Sequence, residues 1–403
     1  MLGAALAAGF CSTGVDVVTL GVAPTPLVSF AARTGGFALG SVVSASHNPS
    51  QDNGIKFLGL DGGKLSRDQE QEIESIFKSN GCILDSTIGT ISPSQSWHLK
   101  YRSWLGGFLP GGLQGTKVAI DCANGAAYDI APKLLTDLGA EVLVIGVEPD
   151  GNNINFECGA TYPQAIADCT VKNSAALGVA FDGDADRCVF SDEKGNLVNG
   201  DRFMAQWAMD AKSRGELAPC VVVGTVMSNL GFESALRSNG IAFERASVGD
   251  RNVIERMREL GAKIGGEQSG HIIFSDLTPT GDGLLTMVQM LALLERSKKP
   301  CSELPPLFNN WPQAMVNIMV DCKEGWDASP EINQAIRAAE EATRGSGRIV
   351  VRASGTQPMI RVMVEAKDIV LRDQVLESVV ESIEAQLGGK ASRRIELTHA
   401  LGD

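Results

Sequence analysis

Ala175-Ala176-Leu177-Gly178-Val179-Ala180-Phe181 runs directly into Asp182-Gly183-Asp184-Ala185-Asp186-Arg187. The first seven residues read as an apolar strand and the next six as the loop at its end. Working outward, residues 163–173 carry a helical pattern, Glu141–Ile145 a strand, 128–138 a helix and Lys117–Asp121 another strand. This β/α/β alternation implies a parallel sheet. It recurs downstream as strand Pro219–Val226, helix 229–238, strand Ala242–Val248, helix 249–260 and strand Ala262–Gly265, and helix 282–297 closes that unit. A third copy is expected before residue 60. There the chain opens on a helix, Leu2–Cys11, with Gly14 as its C-cap. Strand Val15–Leu20 follows, then a helix through Leu27–Arg33 set up by Pro24 and Pro26, and the strand-like run Gly40–Val43. Asn53–Leu58 reads as a turn and short strand, Ser66 as the cap of helix 67–79, and the low-hydrophobicity residues 80–96 as a boundary. The last segment has another order: strand Met315–Asp321, helix 330–343, strands 348–352 and 359–365, helix 370–387. The expected fold is α/β. It has three similar α/β domains with mixed or parallel sheets, the first incomplete, and a smaller C-terminal α+β domain. The boundaries fall at 1–95, 96–198, 199–308 and 309–403.

Length and composition agree. A chain of 403 residues exceeds one core. Apolar residues at 44% and charged residues at 21% describe a globular protein with no run long enough to span a membrane and no basic start typical of a secretory signal. Nine cysteines, odd in number and without a CxxC pair, read as reduced thiols of a cytoplasmic protein. A net charge of −13 argues against nucleic acid or an anionic membrane as partner. An anionic substrate would then need basic residues gathered locally.

Four stretches carry chemistry. In Asp182-Gly183-Asp184-Ala185-Asp186-Arg187, three carboxylates at alternate positions can converge on one hard divalent cation. An EF-hand-like calcium loop is the competing reading, since Glu193 falls at its twelfth place. Arg187 at the sixth, where glycine belongs, and strand-like flanks favour a magnesium site serving a phosphate. Ser44-Ala45-Ser46-His47-Asn48-Pro49 lies at the end of strand-like Gly40–Val43, and Asn48-Pro49 ends regular structure there. Ser46 could carry a phosphoryl group on its hydroxyl; a polar turn is the plainer alternative. Gly265-Gly266-Glu267-Gln268-Ser269-Gly270-His271 offers close backbone approach and the donors and acceptors that sugar hydroxyls need. His47 and His271, two of only four histidines, both fall in these polar loops. Arg352-Ala353-Ser354-Gly355-Thr356-Gln357-Pro358, with Arg361 beyond it, supplies guanidinium groups, hydroxyls and backbone amides for a phosphate cradle, or else an ordinary hairpin with surface arginines.

In this order the four stretches resemble the active-site segments of the α-D-phosphohexomutase superfamily. The runs DCANGAAYDIAP at 121–132, GTVMSNLGFE at 224–233, VGDRNV at 248–253, GGEQSGHII at 265–273 and TGDGLL at 280–285 are most similar to its bacterial branch acting on glucosamine phosphate. The resemblance implies four domains around a central cleft, each giving one loop. It also implies a reversible phosphoryl shift between O6 and O1 of glucosamine phosphate by way of glucosamine 1,6-bisphosphate. Ser46 is then the phosphoserine, and Asp182, Asp184 and Asp186 hold Mg²⁺ together with the Ser46 phosphate. Lys56 and His271 are candidates for proton transfer, and His47 and Arg187 support the phosphoryl group. Glu267 and Ser269 read the sugar, and Arg352, Ser354, Gly355, Thr356 and Arg361 grip the distal phosphate. The expected partner is a small amino-sugar phosphate, with no nucleic acid and no membrane; a homodimer is allowed. Mannose or glucose phosphate is the alternative substrate, which Gln268 disfavours because those relatives carry methionine there. A non-catalytic sugar-phosphate binder is the alternative of another class. Gln357 departs from the family's glutamate. The family also places a glycine-rich FGTDGIRG-like segment and a GRDTR-like segment before the helix on which this chain opens. The expectation is therefore that residue 1 is not the natural beginning of the working enzyme, and that the first sheet lacks a strand and Ser46 a basic neighbour.

Overall fold

The computed structural model describes residues 1–79, 87–306, 308–354 and 358–398. The second unit matches the sequence pattern most closely. Strands β5 (Lys117–Asp121), β6 (Glu141–Ile145) and β7 (Leu177–Phe181) are parallel in the order β6-β5-β7, with α5 (Ile130–Asp137) and α6 (Gln164–Lys172) as crossovers. Antiparallel β8 (Cys188–Ser191) and β9 (Leu197–Val198) extend the sheet beyond β7. The third unit repeats the plan with α7 (Gly200–Ser213), β10 (Val221–Thr225), α8 (Leu230–Ser238), β11 (Ala242–Ala246), α9 (Asp250–Leu260), β12 (Ile264–Gly266), β13 (Ile272–Phe274) and α10 (Gly283–Ser297). Its order is β11-β10-β12-β13, the last strand antiparallel.

The first unit departs from expectation. After α1 (Leu2–Ser12) come β1 (Val17–Thr19), α2 (Thr25–Gly35), β2 (Gly40–Val43), β3 (Ile55–Leu58) and α3 (Arg67–Lys78). Here β2 and β3 pair antiparallel, because the connection 44–54 contains no crossover helix. β1 instead pairs in parallel with β4 (Ile91–Pro93), inside the stretch read as a boundary; residues 80–86 of that stretch lie outside the described residues. All three residues of β4 are exposed, so it shows no apolar pattern to read. The two pairs form separate sheets, and a groove of about 750 Å³ lined by Leu6, Phe10, Val28 and Phe37 lies between β1 and β2. Ser66 does cap α3, in a capping box with Gln69.

Two helices were not foreseen, α7 and α4 (Ser96–Gly106). α4 buries Trp97, Tyr101 and Leu105, four residues apart, in a core shared by the first three units. That core also holds Leu27, Phe181, Phe203, Phe232 and Leu285. The fourth unit has its own. In it β14 (Gln313–Met319), β15 (Gly347–Ala353) and β16 (Met359–Ala366) form an antiparallel sheet in the order β15-β16-β14, covered by α11 (Pro330–Thr343) and α12 (Ile369–Leu387). Ile318, Ile332, Ile360, Leu376 and Ile383 fill its interior. It meets the third unit through Met227, Met315 and Met363 and through an ion pair of its own, Arg348 to Glu365 at 2.8 Å, which bonds backbone of the third unit at Val226, Ser228 and Leu230.

Candidate active site

The acidic loop leaves the C-terminal end of β7, where an open α/β sheet exposes its binding crevice. Three units grip its backbone. Thr25 N, at the start of α2, donates to Asp184 O; Gly283 N, at the start of α10, donates to Ala185 O; Ala126 N donates to Gly183 O. Helix N-termini have amides without intrahelical partners, and the loop carbonyls satisfy them. Ala185 holds φ +56 to make the turn. The Asp182, Asp184 and Asp186 side chains are all buried, with one carboxylate oxygen of each within 4.8 Å of the others.

Ser46 meets this cluster from the first unit: its Oγ donates to Asp182 Oδ2 at 2.8 Å. Lys56 Nζ reaches Asp184 Oδ2 at 2.7 Å and Asp186 Oδ2 at 3.5 Å, and Thr25 Oγ1 donates to Asp184 Oδ2 at 2.6 Å. Asp184 Oδ1 and Asp186 Oδ1 are buried and make no hydrogen bond among the described residues. Burial, then Asp186 and Asp184, pushes the Asp182 carboxyl well up. Burial acts the same way on Asp186, but His271, Lys56 and Arg187 outweigh it and hold that carboxyl below the usual range. Buried carboxylate oxygens left open, on three converging aspartates, fit a hard divalent cation.

Burial draws Lys56 toward its neutral form, yet Asp186 and Asp184 prevail and keep it a firm ammonium. Burial also works against Arg187, whose guanidinium Asp186 and Asp182 hold above its ordinary value. His47 goes the other way: burial, then Arg187, lowers its pKa from the ordinary histidine value and favours the neutral imidazole.

The sugar-type loop turns back from β12 into β13. Glu267 N donates to His271 O and Gly270 N to Glu267 O, both at 3.0 Å. Gly270, at φ +89, lies against β8, where a Cβ would come within 2.1 Å of Cys188 O. Glu267 accepts from Gly249 N at 3.0 Å, while the buried side chains of Gln268, Ser269 and His271 have no hydrogen-bond partner among the described residues. His271 Nε2 lies 4.0 Å from Asp186 Oδ2 and 3.7 Å from Asp250 Oδ2, and Asp250 pairs with Lys64 at 2.6 Å. Asp250 stands in the VGDRNV run, so its motif was legible although its contact was not. Thr25, Lys64 and Asn155, which donates to Ser46 O at 3.0 Å, were missed. None of them stands in the four chemistry-bearing stretches.

Arg352 and Arg361 sit directly opposite on β15 and β16. Ser354 N donates to Met359 O at 2.8 Å, and Lys323 Nζ donates to Ser354 O at 2.6 Å. Gly355 and Thr356, with Gln357, lie outside the described residues. The structure thus gathers Ser46, His47, Lys56, the three aspartates, Arg187 and His271 in one crevice with the Glu267–Ser269 loop beside it. Arg352 and Arg361 stand on the separate sheet of the fourth unit, with Ser354 just past the end of β15.

Known proteins carry the same architecture. Four family models match in order: phosphoglucomutase/phosphomannomutase alpha/beta/alpha domain I over residues 1–82, domain II over 112–195, domain III over 199–310 and the C-terminal domain over 315–382. The chain belongs to the phosphoglucomutase/phosphomannomutase family and is a phosphohexomutase, an isomerase of the phosphoryl-shifting kind. Among curated relatives, the phosphoglucosamine mutase of Shouchella clausii is 44% identical over 391 residues, 96% of this chain and 88% of that protein. The phosphoglucosamine mutase of Symbiobacterium thermophilum is also 44% identical, over 96% of this chain and 87% of its own length. Of solved structures, a phosphoglucomutase/phosphomannomutase family protein from Burkholderia thailandensis superposes with TM-score 0.78 at 25% identity, covering 95% of this chain and 86% of that one. Aspergillus fumigatus N-acetylphosphoglucosamine mutase, solved with GlcNAc-6P and magnesium, shares the fold at TM-score 0.68 and 19% identity, over 94% of this chain and 97% of its own.

Proposed function

We propose that the chain interconverts glucosamine 6-phosphate and glucosamine 1-phosphate in the cytoplasm, through a phosphoserine at Ser46 and a glucosamine 1,6-bisphosphate intermediate. One observation carries the chemistry: Ser46 Oγ lies 2.8 Å from Asp182, in a pocket of three buried carboxylates that Lys56 also enters. The amino sugar rests on relatives at 44% identity that are named for it, and the compartment on the scattered thiols.

Phosphorylated Ser46 gives its phosphoryl group to the free O1 or O6 hydroxyl of the bound sugar phosphate. The P–Oγ bond breaks as the P–O bond to the sugar forms, and the hydroxyl proton passes to a base. His271 is the candidate acceptor, and Lys56, held as a cation, neutralises Ser46 Oγ as it leaves. The bisphosphate turns end for end, and the return step moves its other phosphoryl group back to Ser46. Mg²⁺ held by Asp182, Asp184, Asp186 and the Ser46 phosphate would offset charge on the moving group. His47 and Arg187 steady that group, and Glu267 and Ser269 read the sugar hydroxyls. Arg352, Ser354, Gly355, Thr356 and Arg361 hold the distal phosphate, so the sugar keeps its orientation. Each domain, divided at 95, 198 and 308, gives one loop. The fourth, with its own core, serves as the lid.

The test compares kcat/KM for glucosamine 6-phosphate with that for glucose and mannose 6-phosphates. A preference for the amino sugar of roughly 10- to 200-fold is expected where one polar contact discriminates. A preference for mannose phosphate would move the chain to the mannose branch.

A further inference from the structure

The connection from β6 to α6 contains Gly151-Asn152-Asn153-Ile154-Asn155-Phe156-Glu157, none of it among the four motifs. It reaches across from the second unit to the phosphoserine loop of the first. Asn155 Nδ2 donates to Ser46 O at 3.0 Å and to Asn48 O at 3.1 Å. Both partners are carbonyl oxygens, so the amide can face them only with its NH₂ group; reversed, it would set oxygen against oxygen. Asn155 is itself fixed, with its backbone N donating to Ala123 O at 3.0 Å and φ at +59, a conformation asparagine tolerates better than most residues.

Ser46 also lies in the left-handed region, at φ +55. A residue with a Cβ stays there only when its surroundings hold it. Both of its peptide faces are held. On the amide side, Ser46 N donates to Ser44 Oγ at 2.8 Å. On the carbonyl side stand the Asn155 amide and Gly183, where a Cβ would lie 2.5 Å from Ser46 O and 2.8 Å from Asn155 Nδ2. The Ser46 carbonyl is thus seated between a glycine of the acidic loop and the amide of Asn155, and this turn aims Oγ at Asp182.

We infer that Asn155 is a positioning residue for the nucleophile: its carboxamide holds Ser46 in the left-handed turn and so sets how fast a phosphoryl group enters and leaves Ser46, without contributing to sugar-phosphate binding. The inference rests on the reading of Ser46 as the phosphoryl carrier. In-line transfer depends on placement of the nucleophile, and a displacement of about 1 Å can cost on the order of 100-fold in rate.

The experiment uses the full chain carrying Asn155→Asp or Asn155→Ala. The aspartate keeps the shape but turns a donor toward two carbonyls into an acceptor; the alanine removes the donor without adding charge. Each protein, stripped of phosphate, is mixed with a hexose 1,6-bisphosphate, and Ser46 phosphorylation is followed by peptide mass in single-turnover time courses. Steady-state kcat, KM and Tm are measured alongside. Both variants should lose roughly 10- to 100-fold in single-turnover rate and in kcat, with KM within about twofold of wild type and Tm nearly unchanged. Wild-type phosphorylation rates in Asn155→Asp would overturn the inference. So would a rise in KM with a matching fall in Tm in both variants, which would make the contact a plain cross-link between units. If wild-type phosphate maps to a residue other than Ser46, the phosphoserine reading itself fails. If it maps to Ser46 and the variants load normally, only the positioning role fails.

Discussion

Ser46 is defined less by its identity than by what its hydroxyl touches. A serine in a polar turn bonds its own backbone, whereas this one donates to a buried aspartate 136 positions away. Ser46→Ala should keep the fold and lose nearly all turnover, because a methyl group carries no phosphate. Full activity in that variant, with phosphate mapped elsewhere, would refute the assignment. Asp184 divides its carboxylate: Oδ2 takes Lys56 and Thr25, while Oδ1 makes no hydrogen bond among the described residues. Asp184→Asn should therefore raise the Mg²⁺ concentration needed for half-maximal activity, by roughly tenfold or more for one lost anionic ligand. The check is a Mg²⁺ titration of wild type and variant after chelation. An enzyme indifferent to chelator would contradict the metal site.

At the scale of elements, helix N-termini and glycines set the clearances between loops. α7 begins at Gly200, where a Cβ would lie 2.0 Å from Glu267 O and 3.1 Å from Gly270 N. Backbone that close cannot yield by a rotamer change, so Gly200→Ala should push the Glu267–Ser269 loop out of place. The expected result is a KM for sugar phosphate raised about tenfold, with Ser46 phosphorylation by a bisphosphate much less affected. Unchanged KM would mean that this loop does not read the sugar. On β15 and β16, the facing Arg352 and Arg361 lead to a parallel expectation. Arg361→Ala should weaken sugar-phosphate binding, on the order of 1.5–3 kcal/mol for a lost charge-assisted hydrogen bond, and should raise KM more than it lowers kcat.

Over the whole molecule, the joint between the third and fourth units adds buried polar contacts to its methionine cluster. Arg348 Nη1 and Nη2 donate to Val226 O and Ser228 O, and Glu365, fully buried, also accepts from Leu230 N. Beside it Asp201 is fully buried, accepts from Asn229 N, and is pushed up to about 6 by burial against the pull of that hydrogen bond and of Ser228. The sign follows from linkage. Asp201 holds its proton more tightly folded than unfolded, so its contribution is complete below the ordinary aspartate value of 3.8 and is lost as pH rises through about 6. The loss is on the order of 3 kcal/mol for a shift of this size. Asp201→Asn should therefore gain on wild type in Tm between pH 4 and pH 7. An equal difference in Tm at both pH values would show that Asp201 does not titrate in that window.

The alternation from Lys117 to Phe181 and from Val221 to Gly266 was legible because each strand and helix announces itself by local apolar pattern and turn residues. The residues of three chemistry-bearing stretches that the structure gathers in one crevice were also legible, since alternate aspartates or a glycine-rich turn restrict chemistry wherever they fold. What sequence could not supply was partnership. β4 is three exposed residues that become a strand only by lying along β1. Thr25, Lys64, Asp250 and Asn155 are ordinary polar residues until the packing of three units brings them to Asp184, His271 and Ser46. Local sequence determined most of the elements and the types of reactive group, because propensity and pattern act within a few residues. The tertiary structure alone decided which carboxylate meets which serine or lysine, because those contacts join residues more than a hundred positions apart, as Ser46 meets Asp182 and Lys56 meets Asp184.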